Sequence, residues 1–391
     1  MKSEFKKYFP MFLNNPNIVY FDNAALTFKS QSVIDSGTEF YEKYSISTRT
    51  ADSELGIKIS QKLAIARESI ANFVDAKGSE LIFTSGTTES LNLIASMLSD
   101  IIDDGEIILT YFNHSSNIVP YLENFKEKNI SIKYCETEED ILTSINRQTR
   151  IVALAQANNN FSVKYNLDKI YSKCKKYNAI LINDAAQAIA HEKVSLKNGD
   201  VIAFSSNKIF GPTGMGALII KSDLLEKLSP KKFGGGQVQN IGENFNWNSH
   251  TNITKFEPGT PNFAGIFQFQ SAIEFLKLLD YKKINTVENK LANYIYEKLS
   301  EIPNLFIASN KGDKIVLFNI KNIPAQDIAS YLGHNNIYVR SGIFCAHKFK
   351  SISKYESSYV RISLSIYNDF KDVDMLIEKL KKVEVEYLDF L

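Results

Sequence analysis

Short apolar runs bounded by turn residues dominate the first two thirds of the chain. Ile18–Asp22, Leu81–Thr84, Glu106–Thr110, Ile130–Tyr134, Ile151–Ala155, Ala179–Asn183, Val201–Phe204 and Ala217–Ile220 read as buried strands. Between them the period lengthens. Leu63, Ala66, Ile70 and Phe73 share one helical face within 57–74, and Leu91, Ile94, Ala95 and Leu98 share another. Further helical stretches are expected near 115–128, 138–145 and 167–177. This alternation predicts a mainly parallel sheet covered by helices on both faces, with ligand sites beyond the carboxyl ends of its strands. Polar residues gather at those ends: His114, Asn159, Asp184 with Gln187, and Ser205 to Lys208. Each alone is a common cap or loop hydrogen bond; their shared position is what marks a site.

Beyond Lys232 the pattern loosens. Residues 233–260 are rich in Gly, Asn and polar side chains around Trp247, and are expected as a long ordered loop whose aromatics pack on a surface. A helix from Asn262 to about Leu279 leads into a second α/β layer. That layer reads as helix 284–299, strands near 305 and 314–320, helix 325–333, strands near 338–340 and 359–364, and helix 369–385.

A chain of 391 residues accommodates roughly two domains. Its 45 basic and 44 acidic residues leave no electrostatic footprint for nucleic acid or an anionic membrane. Cys135, Cys174 and Cys345 are few and far apart, which is neither a disulfide framework nor a metal site and suits a reducing compartment. Glu4 and Pro10 interrupt the basic N-terminus, and no stretch approaches a membrane span. The expectation is a soluble cytoplasmic protein.

Two segments carry candidate chemistry. Lys208 lies between two apolar runs, followed by Gly211, Pro212, Gly214 and Gly216. Desolvation in such a turn lowers an amine's pKa and favours the neutral form that makes Schiff bases, although a lysine merely exposed on a turn fits the segment too. In FTSGTTES a strand passes through Gly86, Thr87 and Thr88 into a helix, offering N–H groups and a positive dipole end to a phosphate. An ordinary helix cap fits equally, and the Gly-Lys-Ser/Thr ending of a nucleotide loop is missing.

Eight segments in order, YFDNAA (20–25), FTSGTTESLNL (83–93), HSSNIVP (114–120), INDAAQAIAH (182–191), FSSNKIFGPTGMGAL (204–218), FEPGTPN (256–262), YVRSGIFCAH (338–347) and VRISLSIYN (360–368), resemble the class V aminotransferase group of pyridoxal-phosphate enzymes. Within it the chain most resembles cysteine desulfurases of the SufS type. The resemblance implies a fold-type I enzyme, with a large cofactor domain over 17–262 built on a seven-stranded sheet. It also implies a small α/β domain over 263–391 carrying the nucleophile loop, with an arm, 1–16, packed on it. It places the Schiff-base lysine at Lys208, the pyridine-nitrogen carboxylate at Asp184 and a ring-stacking histidine at His114. Asn159 and Gln187 resemble partners of the ring hydroxyl or its neighbourhood, Gly86, Thr87, Thr88 and Ser205 match the phosphate site, and Asn207 occupies a further cofactor-binding position with one phosphate contact weakened. Thr260 matches a residue that reaches the neighbouring subunit's phosphate, which implies a homodimer. Asn23, Ala24, Ala25, Arg340 and Arg361 match the substrate site, with Arg361 clamping the carboxylate of L-cysteine. Cys345 matches the nucleophile that takes sulfur as a persulfide, releases alanine and passes sulfur to an acceptor for iron–sulfur clusters or another thio-cofactor.

Three departures accompany the match. Asn207 stands where the family usually has His, and the family's N-x-H-R-G-x-H survives at 45–51 only as Arg49. Ile343 and Phe344 replace a histidine pair, so apolar contact with the acceptor is expected there. A selenocysteine lyase, or another class V lyase, would keep Lys208, Asp184 and Arg361 without needing Cys345. A non-enzymatic scaffold would not need both Lys208 and Asp184, and both are present.

Overall fold

Seven strands form the central sheet of the computed structural model, which describes residues 3–48, 52–244, 246–352, 356 and 358–386. Arg49, the arginine kept from the family's N-x-H-R-G-x-H, lies outside the described residues. The spatial order is Leu81–Thr84, Gly216–Ile220, Val201–Ser205, Ile180–Asp184, Thr149–Ala155, Asp104–Thr110, Asn129–Cys135. Gly216–Ile220 pairs antiparallel with both of its neighbours, and the pairs from Val201–Ser205 onward to Asn129–Cys135 are parallel. Strands buried on both faces need apolar side chains throughout, and Val201–Ser205 and Gly216–Ile220 are buried at every position.

Helices cover both faces. Thr87–Ser99 turns Leu91, Ile94, Ala95 and Leu98 into one core with Ile107, Leu109 and Ile182. On the other face Phe263–Leu279 packs Ile266, Phe269 and Ile273 against Ile202, Phe204 and Ile219. The region expected as a loop holds an antiparallel hairpin, Val238–Ile241 with Trp247–Ser249, and Phe233 meets Trp247 edge to face at 5.9 Å.

A second, four-stranded sheet runs Leu305–Ile307, Ile315–Ile320, Tyr359–Ser363, Arg340–Gly342, all antiparallel. The chain's start is woven into it. Val19–Tyr20 pairs with Ile337–Tyr338, Asp22 bridges to Ser363, and Val19 and Phe21 join the core of Val316, Phe318 and Leu376. Phe9 is fully buried against Phe210, Phe275 and Tyr367. No helix among the described residues is long and apolar enough to cross a membrane.

Candidate active site

The carboxyl ends of the parallel strands open into a cavity of about 250 Å³. It is lined by Gly86, Thr87, Thr88, His114, Asn159, Asp184, Gln187, Ser205, Asn207 and Lys208. Those residues come from five different strand ends, so the sheet, more than any one loop, assembles the site. The lining also includes Ser85, Glu89, Ser116, Ala155, Ala157, Asn158 and Ala186, which the sequence reading did not single out. The run Asn158–Asn160 directly after a buried strand was the available cue for Asn158.

Lys208 follows the strand Val201–Ser205 in a single 3-10 turn, and the next residues return as Gly216–Ile220. Burial pushes its amine down to about 8, with the Asp184 carboxylate opposing and Arg361 and Arg340 assisting. Asp184 is itself buried, and burial raises its pKa against a 3.1 Å hydrogen bond from the Ala186 N–H. Burial, then the nearby cations Lys208, Arg340 and Arg361, lowers His114 to about 4. The Ser116 N–H donates to His114 Nδ1 at 3.1 Å, so the neutral ring carries its proton on Nε2. Ser116 Oγ also joins His114 Nδ1 (3.0 Å) to Thr88 Oγ1 (2.8 Å), tying the ring to the helix start.

The helix Thr87–Ser99 begins at Gly86, and a Cβ on Gly216 would lie 2.5 Å from Gly86 Cα. Glycine at 216 is what lets the turn lie on the neighbouring strand. Thr87 Oγ1 is buried and has no hydrogen-bond partner. An orphaned hydroxyl at a helix N-terminus fits a phosphate oxygen, since such an atom is costly unless something accepts from it. Asp184, buried with one backbone donor, fits a protonated ring nitrogen, and the Lys208 amine fits an aldehyde. The residues present therefore fit pyridoxal phosphate.

The wall beside this cavity comes from residues 23–25. Gln187 Nε2 donates to the Ala24 carbonyl (2.8 Å) and Asn207 Nδ2 to the Ala25 carbonyl (3.2 Å). Asn23 faces away from the cavity: Nδ2 donates to the Ser363 carbonyl (2.7 Å) and to Asn368 Oδ1 (3.1 Å), and Oδ1 accepts from the Tyr367 hydroxyl. Arg340 is exposed and pairs across strands with Arg361, and Thr260 is exposed outside the cavity. Neither Arg361 nor Cys345 lines the cavity itself.

Cys345 is nevertheless bound to its rim. The Ser115 N–H and hydroxyl donate to the Cys345 carbonyl at 2.6 and 2.7 Å, and Asn159 Nδ2 donates to the Phe344 carbonyl at 2.7 Å. Cys345 is partly exposed, whereas Cys135 and Cys174 are buried; burial raises both of their thiols, Cys174 to about 12. Phe344 was expected to meet an acceptor. It is 3 % exposed and lies over the Arg361 guanidinium, because an aromatic face attracts that cation once both leave water. Only Ile343 of the pair is partly exposed. Among the described residues no cluster of His, Cys, Asp and Glu could hold a metal ion.

Residues 19–376 match the model of the class-V aminotransferase family. A probable cysteine desulfurase of Ureaplasma parvum is 35 % identical, covering 98 % of this chain and 98 % of its own. Another, from Borreliella burgdorferi, is 34 % identical over 97 % of this chain and 95 % of its own. Among solved structures, the apo cysteine desulfurase of Thermococcus onnurineus is similar with a TM-score of 0.91 at 26 % identity, covering 98 % of each chain.

Proposed function

The chain belongs to the class-V aminotransferase family, and on that premise we propose that it is a pyridoxal-phosphate-dependent cysteine desulfurase that converts L-cysteine to L-alanine and takes the sulfur onto Cys345. The observation that carries this reading is the meeting of three groups in one cavity: the Lys208 amine held near 8, the buried Asp184 carboxylate and the unpartnered Thr87 hydroxyl, with the Cys345 loop bonded to the cavity's rim.

Pyridoxal phosphate, when bound, supplies an electron sink for bonds at the α-carbon of an amino acid. Lys208 would hold its aldehyde, Asp184 would pair with its ring nitrogen, and Gly86, Thr87, Thr88 and Ser205 would hold its phosphate. The Lys208 amine would serve as the base that takes and returns the substrate's α-proton, a task its lowered pKa suits. Neutral His114, with a proton on Nε2 to give, would cover the cofactor ring, and Arg361 would bind the substrate carboxylate. The Cys345 sulfur, as thiolate, bonds to the substrate sulfur as the Cβ–S bond breaks; the electron pair of that bond stays with the alanine fragment, which is then protonated.

Several finer statements belong to the same proposal. Sulfur leaves Cys345 as a persulfide for an acceptor that feeds iron–sulfur cluster or other thio-cofactor assembly, in the manner of the SufS type; the anchored Cys345 loop supports this. Two copies assemble with Thr260 completing the partner's phosphate site, supported by its exposure and by that of two apolar side chains in the same stretch, Phe233 before the hairpin (65 %) and Ile241 within it (68 %). The working division is a cofactor domain of 17–262 and a smaller domain of 263–391, in a cytoplasmic protein.

Purified protein assayed with L-cysteine tests the reading. Wild type is expected to be yellow and to release alanine. Cys345→Ser is expected to keep the spectral change on adding L-cysteine while alanine release falls at least about 100-fold, because a hydroxyl is a poor nucleophile toward sulfur. Turnover near the wild-type rate in Cys345→Ser would hand the assignment to another pyridoxal-phosphate lyase.

A further inference from the structure

The guanidinium assigned to the substrate carboxylate is shut in. Arg361 is 1 % exposed. Its Nη2 donates to Asp22 Oδ1 at 2.6 Å and its Nη1 to the Asn159 carbonyl at 3.0 Å. The Phe344 ring covers it, with the centroid 4.8 Å from the guanidinium carbon. Its Nε is buried and has no partner. A buried guanidinium with one unanswered donor retains capacity for another acceptor, yet no carboxylate from outside reaches it in this arrangement.

What covers Arg361 is also what is poised to leave. Asp22 has a side chain 21 % exposed, so water already reaches the carboxylate that occupies Arg361. Phe344 has φ 55° and Cys345 φ 56°, two successive side-chain-bearing residues in the left-handed region, which sterics disfavour. They are held there by Asn159 Nδ2 on the Phe344 carbonyl, Ser115 on the Cys345 carbonyl, and the ring's contact with Arg361.

We propose that Asp22 and Phe344 form a gate on Arg361: Asp22 occupies the place of the substrate carboxylate, Phe344 seals it, and an incoming amino acid binds by displacing both. The proposal rests on the assignment of Arg361 to the substrate carboxylate. It makes the two residues determinants of specificity. A ligand that brings a carboxylate exchanges one anion for another at Arg361, whereas a ligand with only an amine leaves Asp22 in place. Because Phe344 adjoins Cys345, the exchange also shifts the backbone that presents the nucleophile, so carboxylate recognition and sulfur attack are linked through one peptide unit. The apparent affinity for substrate is the intrinsic affinity reduced by the fraction of molecules with the gate open.

Calorimetric titration of holoenzyme with L-alanine, beside steady-state kinetics with L-cysteine, tests the gate. Asp22→Asn keeps the shape and removes the competing charge; L-alanine should bind about threefold or more tightly, with KM falling in step. Phe344→Ala should also tighten L-alanine binding but lower kcat, because Cys345 loses its neighbour's anchorage. If that variant does not fold, Phe344→Leu keeps apolar volume without the ring–cation contact and is expected to move L-alanine binding the same way. Unchanged or weaker L-alanine binding in Asp22→Asn overturns the gate, since Asp22 would then orient Arg361 instead of blocking it. The functional reading fails separately: there, wild-type protein releases no alanine from L-cysteine.

Discussion

An amine that titrates near 8 in place of 10.5 changes the conditions under which Lys208 can take an aldehyde. Its folded pKa is depressed, so the reactive neutral form fills as pH rises through about 8 and is already abundant where an ordinary lysine would be almost wholly charged. Apo-protein mixed with pyridoxal phosphate should therefore load faster as pH rises toward about 8 and level off above it, followed by visible absorbance in stopped flow. Asp184→Asn removes the carboxylate that holds the amine's value up, so the inflection should move lower. A rate still climbing beyond pH 9 would show an amine that solvent reaches freely. The turn that carries Lys208 was legible in sequence from its two flanking apolar runs, but an exposed turn lysine fitted them equally, and it is the folded surroundings that bury the amine and push it down. The contacts of Arg361 and Cys345 were not legible. Asp22 lies 339 residues from Arg361, Asn159 lies 185 from Phe344 and Ser115 lies 230 from Cys345, distances over which no local period carries information. Hence Phe344 read as a surface for a partner when it is a cover for a cation.

At the scale of elements, the proposed phosphate cradle depends on a strand that contributes no polar atom to the cavity lining. Gly216 pairs with Thr84, and a methyl there would press on Gly86 Cα, C and N, all backbone, so no flexible side chain can yield. Gly216→Ala should destabilise the apo-protein by about 1–3 kcal/mol, read by urea unfolding, and should weaken pyridoxal-phosphate retention as well. Stability lost with cofactor affinity intact would mean that the turn relaxes without moving its donors. Elements with a clear period were readable: Leu167–Tyr177 has the expected bounds, and Phe263–Leu279 begins one residue later than expected. The hairpin within 233–260 was not, because its first strand exposes three of its four residues and so lacks the apolar alternation that betrays a half-buried strand. Helix Gln31–Lys43 went unread although Val33, Gly37 and Phe40 lie on one buried face; a glycine and a serine in that stretch dilute its apolar stripe.

Across the whole molecule, the N-terminal segment runs from one core to the other. Phe9 packs beneath the first sheet with Phe210 and Phe275, while Val19 and Phe21 belong to the core of the second. Phe9→Ala should cost about 3–5 kcal/mol, seen as a lower denaturant midpoint, because a fully buried ring leaves a void among rings that cannot collapse together. A change within experimental scatter would show that the segment rides on the surface of both. The α/β class and a mainly parallel sheet were legible from alternation alone, whereas the joining of the chain's start to the second α/β layer depends on pairing with Ile337–Tyr338 and a bridge to Ser363, at the far end of the chain. The cysteines have a practical corollary at this scale. With Cys135 and Cys174 sealed in the core and their thiols pushed up, the native fold is chemically a monothiol, and a dye, spin label or cross-linker offered to it has Cys345 as its one address until the chain unfolds and presents three.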